Sequence, residues 1–84
     1  MTTEFIEVDL NNEEKQAILE HAGFFVTEEV TKKGLQNKRK KWIRFTADEI
    51  NEVVGELSYY FNRTKNDQEF YFLDELIGHL ENYI

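Results

Sequence analysis

The spacing Asn/Thr-x-x-Glu occurs three times in this 84-residue chain, at Asn11 and Glu14, Thr46 and Glu49, and Asn66 and Glu69. In each pair the short polar side chain can accept from a free amide of a first helical turn, while the Glu reaches back to the amide of the capping residue. Three helix starts are therefore written into a chain that has room for little else.

The first helix is expected to run to about Ala22 and to end at Gly23 in the left-handed conformation that glycine adopts without strain, with Phe24 or Phe25 covering its last turn. The second is the most strongly patterned. Ile50, Val53, Val54, Leu57 and Phe61 fall within one arc of about 100°, while Glu49, Glu52 and Glu56 form a separate acidic face. Between them runs a small polar strip, Asn51, Gly55, Ser58 and Asn62. In the third helix Phe70, Leu73, Ile77, Leu80 and Ile84 recur at spacings of three and four, and Phe72, Leu76 and Tyr83 widen the apolar arc to about 160°. An arc that broad predicts contact with two surfaces.

Before the first cap, Ile6, Val8 and Leu10 alternate with Glu7 and Asp9, the period of a half-buried strand. Residues 24–31 are β-branched or aromatic with interleaved Glu, and residues 42–46 have the same character, so both are read as strands of a hairpin joined by residues 32–41. The expected order is β-α-β-β-α-α. It defines a single α+β domain spanning residues 1–84, with a small antiparallel sheet, helices packed on one face, and the last two helices forming a hairpin around residues 63–66.

A domain this short must build its core economically, and seven Phe, four Tyr and one Trp provide the large apolar areas needed. With no Cys there are no disulfide staples or thiolate ligands. No apolar run approaches a membrane span, and residues 1–9 are acidic without a hydrophobic signal core, so a cytoplasmic location is expected.

The net charge of −7 conceals a segregation. Residues 1–31 hold eight acids and one base, residues 32–45 seven bases and no acid, and residues 46–84 nine acids and two bases, giving blocks of −7, +7 and −7. On an extended strand Lys38, Lys40, Trp42 and Arg44 share one face, with Arg39 and Lys41 beside them. This is a cationic surface around an aromatic ring, suited to phosphates and stacked bases or to an acidic protein. The plainer reading is a solvated hairpin in which Lys stems cover the ring and Glu28 and Glu29 form cross-strand ion pairs.

A second candidate surface comprises Gly55, Ser58 and Tyr59 on the middle helix, together with Leu76 and Tyr83 on the last, where a partner or a second copy would dock. Catalysis finds little support. Ser58 is the only Ser and lies mid-helix, His79 stands one turn from Glu75 as an ordinary surface pair, His21 suits the negative end of its helix, and there is no glycine-rich phosphate loop. No catalytic, cofactor or metal residue is assigned. The expected function is a small non-enzymatic cytoplasmic binding module acting through protein contacts, with a homodimer as one form of it, and a nucleic-acid-binding accessory protein using the basic hairpin 32–44 is the alternative.

Overall fold

The computed structural model describes residues 4–84; the first three residues of the acidic 1–9 stretch lie outside it. Strand β1 (Ile6–Asp9) pairs antiparallel with β2 (Trp42–Phe45), with Ile6 opposite Phe45, Glu7 opposite Arg44, Val8 opposite Ile43 and Asp9 opposite Trp42. The period-two pattern sorts the faces as the sequence predicts. Val8, Ile43 and Phe45 are fully buried, whereas Glu7, Trp42 and Arg44 point outward.

A two-stranded sheet is marginal by itself and needs helices to cover its apolar face. These are α1 (Asn12–Ala22), α2 (Glu29–Gln36), α3 (Ala47–Phe61) and α4 (Asp67–Glu81), in the order β-α-α-β-α-α. Both boxed caps form: Asn11 Oδ1 accepts from the Glu14 amide at 2.8 Å, Thr46 Oγ1 accepts from the Glu49 amide at 3.1 Å, and each Glu returns the bond. Asn66 accepts from the amides of Gln68 and Glu69 at 2.9 and 3.2 Å. Helix α3 is the centre of the packing, touching α1 on one side and α4 on the other. Ile50, Val53 and Leu57 are enclosed between Ile18 and Ala22 of α1 and Leu73, Leu76 and Leu80 of α4. The broad apolar arc of α4 is covered only in part, with Leu73, Leu76 and Leu80 buried but Phe70 and Ile84 exposed; beside the arc, His79 Nε2 reaches the carbonyl of Asp9 at the end of β1, 2.6 Å away.

The α+β class and the small antiparallel sheet match expectation, but residues 24–31 do not form a strand. They make a 3-10 turn (Gly23–Phe25) and then enter α2, so the hairpin 24–46 is absent and β2 pairs instead with β1. The buried residues explain the difference: Thr31, Gly34 and Leu35 stand at helical spacing of three and one, so a single helical face begins at the end of the segment read as strand and continues into the one read as its connection. Gly34 lets α2 lie close on β2, since a Cβ there would meet Ile43 side-chain carbons at 3.2 Å. Gly23 also departs from expectation. It is right-handed, with φ −57° and ψ −31°, and passes the chain directly into the 3-10 turn.

Glu49 is not part of an exposed acidic face; it is 2% exposed. Its capping role turns the side chain back across the β2–α3 junction, where Oε2 accepts from the amides of Thr27 and Glu28, both at 3.1 Å. Oε1 accepts from the Thr46 amide at 2.9 Å and from the Thr31 hydroxyl at 2.9 Å, and that hydroxyl also lies 2.6 Å from the Arg44 carbonyl. A buried carboxylate with four donors is stable only while all of them remain in place.

Replacing the carboxylate with an amide turns two donors toward existing donors. Glu49→Gln is expected to lower the unfolding free energy in urea by about 3 kcal/mol, whereas Glu52→Gln, one turn away and exposed, changes it by about 0.5 kcal/mol or less. Equal stability of the two variants would contradict this role for Glu49.

Candidate binding surfaces

The +7 block does not project as a strand hairpin. Its first two cations, Lys32 and Lys33, lie on the exposed side of α2, its next four on the turn at residues 37–41, and only Arg44 on β2. The turn is tied from beneath by Lys15 of α1, which is 2% exposed and donates through Nζ to the carbonyls of Asn37 at 2.6 Å and Lys40 at 2.8 Å. Within the turn the Lys40 amide donates to the Asn37 carbonyl and the Arg39 amide to Asn37 Oδ1. The Leu10 amide fixes the far end by donating to the Lys41 carbonyl at 2.9 Å. These bonds anchor the turn and leave the Lys38, Arg39, Lys40 and Lys41 side chains exposed around a depression of about 300 Å³ beside the start of α1.

The sequence places Lys38, Lys40, Trp42 and Arg44 on one strand face; the structure keeps only Trp42 and Arg44 there. Arg44 Nε lies 3.4 Å from Glu7 Oε1 and Lys41 Nζ 3.9 Å from Asp9 Oδ2, so the carboxylates opposite the cations come from β1 and not from Glu28 and Glu29. Both pairs are exposed and each contributes under about 1 kcal/mol. Among the described residues no other ion pair forms, which leaves Lys38, Arg39 and Lys40 without a carboxylate at contact distance.

A second surface lies along α3. Asp48, Glu52, Gly55 and Tyr59 recur at spacings of four, three and four and so form one stripe. At its beginning, Phe24 and Phe25 of the 3-10 turn border a depression of about 320 Å³ with Thr27, Asp48 and Glu52. Phe24 is 91% exposed and covers no helical turn. At the other end Tyr59 is 49% exposed, with the Arg63 guanidinium 4.2 Å from its ring centre and Tyr60 edge-on at 5.6 Å. Between these aromatics a Cβ at Gly55 would meet nothing within 4 Å, so the helix backbone is open to close approach. Ser58 is half-buried beside it.

The other expected interface residues are placed differently. Leu76 is 1% exposed and belongs to the core, so the folded chain does not offer it to a partner. Tyr83 is partly buried against the core, edge-on to His79 at 5.5 Å. Sequence reasoning missed Phe24, although the adjacent pair Phe24-Phe25 carries the signal: neighbouring residues cannot both face one core.

The polar residues considered for catalysis are dispersed. His79 bonds the Asp9 carbonyl and not Glu75, and His21 packs on Tyr60 with ring centres 4.5 Å apart. Among the described residues no group of three or more His, Cys, Asp or Glu is arranged to hold a metal ion, and no helix is long and apolar enough to cross a membrane. Comparison with protein-family models, with curated proteins and with solved structures finds no match to the chain.

Proposed function

We propose that this chain is a non-enzymatic binding module that acts through protein contacts, using the α3 face between Phe24 and Tyr59. The observation that carries the reading is Phe24, a phenyl side chain held almost wholly in solvent on a short 3-10 turn whose next buried residue is Val26. Enclosing such a ring in a partner's pocket contributes about 2 to 3 kcal/mol, and large aromatic anchors of this kind carry much of the energy of protein interfaces. Gly55 admits the partner's backbone, and Tyr59, steadied by Arg63, supplies a second ring. Asp48 and Glu52 lie between them, so two copies meeting face to face through this stripe would oppose like charges. A different protein suits it better than a second copy.

A photoreactive benzoylphenylalanine at position 24 is expected to crosslink in native lysate to a discrete protein, with the yield falling several-fold in a Tyr59→Ser background. No crosslinked protein overturns the reading, and a product of twice the chain's own mass overturns its heterotypic form in favour of a homodimer.

A second reading, nucleic-acid binding, is favoured by the anchoring of residues 37–41. A turn held by buried Lys15 presents its cations with less ordering entropy left to lose on meeting phosphates. Binding to labelled single-stranded RNA and DNA should then be measurable at about 50 mM salt and fall steeply by about 200 mM. Lys15→Met should weaken it several-fold while leaving every exposed cation in place. Undetectable binding at the lower salt, or no effect of Lys15→Met, removes this reading.

A further inference from the structure

Helices α1 and α4 both pack on α3 but scarcely on each other, and the space between them is an open groove of about 500 Å³. Its floor is apolar, made by Ala17 of α1 and by Phe72 and Leu73 of α4. Ala17 lies on the floor of the groove. It stands one turn from Glu13 and one turn from His21, and its small side chain leaves unfilled the room that a longer one would occupy. The rim is acidic: Glu13 and Glu20 along α1 and Glu69 across from them on α4, with no Lys or Arg among the residues that line it and His21 at one end.

We propose that this groove receives a cationic amphipathic helix of another protein. The proposal rests on the reading of the chain as a protein-binding module and adds a site and a partner chemistry to it. An apolar floor asks for one or two aliphatic side chains, and three carboxylates along its edges favour Lys or Arg flanking them, which is the charge pattern of a basic amphipathic helix. The shape agrees. The lining residues of α1 run from Asn12 to His21, about 14 Å of helix, which matches anchors at i, i+4 and i+7 of a docked helix. A second copy fits less well. Its cationic helix is α2, whose exposed side carries Lys32 and Lys33 but whose Leu35 is buried in its own fold, so those cations bring no fully exposed aliphatic anchor for the floor of the groove.

The test uses a fluorescein-labelled 14-residue peptide of Leu and Lys patterned as an amphipathic helix. Its companions are a version with Glu for every Lys and a scrambled version of equal composition. Fluorescence anisotropy against the full chain should show binding of the patterned Lys peptide alone. Glu13→Gln/Glu20→Gln/Glu69→Gln should weaken it about tenfold, while Asp74→Asn/Glu75→Gln/Glu81→Gln, which removes the same charge elsewhere, should leave it within about twofold. Gln16→Lys, a single exposed rim substitution, should weaken it several-fold and guards against misfolding of the triple variant. Equal losses in the two triple variants would reduce the effect to net charge and overturn the groove, as would equal binding of the scrambled peptide or none at all. Each of these results leaves the crosslink at position 24, and with it the protein-binding reading, standing or falling separately.

Discussion

The Glu49 carboxylate joins three separate pieces of chain at one point. It accepts from Thr27 and Glu28 in the connection leaving the 3-10 turn, from Thr31 on α2, and from Thr46 at the start of its own helix. Thr27 and Glu28 immediately precede the first turn of α2, where the Glu28 carbonyl accepts from the Lys32 amide as the helix begins. Glu28 as N-cap residue offers no side-chain bond of its own to the first turn. This end of α2 is held from α3 instead, through the Thr27 and Glu28 amides and the Thr31 hydroxyl. Docking α2 in this way lays Gly34 on Ile43 and Thr31 on the Arg44 carbonyl, giving the two-stranded sheet the cover it needs.

A buried cation works at the other end of the same segment. Lys15 holds the carbonyls of Asn37 and Lys40, so the basic tract lies between an enclosed anion at its beginning and an enclosed cation near its end. Both charges come from helices that start with capping boxes. Among the described residues no buried side-chain nitrogen or oxygen lacks a partner. The seven cations of residues 32–45 therefore decorate an anchored helix, turn and strand, set in a molecule whose remaining surface is largely acidic. Long-range attraction to polyanions is weakened by that surroundings, while within a Debye length of about 8 Å the local patch dominates.

What the sequence reveals follows the range of the interactions involved. The three caps, the alternation of residues 6–10 and the apolar arc of α3 are local patterns, and each appears in the structure at its expected place. Helix α2 is not local in this sense. Its residues have middling helix propensity, its buried face includes a glycine and a threonine, and its partners, Glu49, Ile43 and Arg44, lie nine to eighteen residues further along. The same distance hides the sites. Lys15 reads as one base in an acidic block until it is found beneath a turn twenty-two residues away, and Glu49 reads as a surface acid because its own helix wheel points it there. Phe24 was visible only as half of a pair, with nothing in the chain to say which ring would be left outside.

The most direct measure of the role given to Glu49 is amide hydrogen exchange, resolved by residue in the native protein. Thr27 and Glu28 lie outside any helix or strand, where amides ordinarily exchange through local openings of small free energy. If the carboxylate holds them, they exchange as slowly as the α3 core amides of Val53 and Leu57, through global unfolding. Exchange as fast as that of exposed turn amides such as Lys38, with α3 still protected, would show that the junction opens independently and that Glu49 does not bind the fold together.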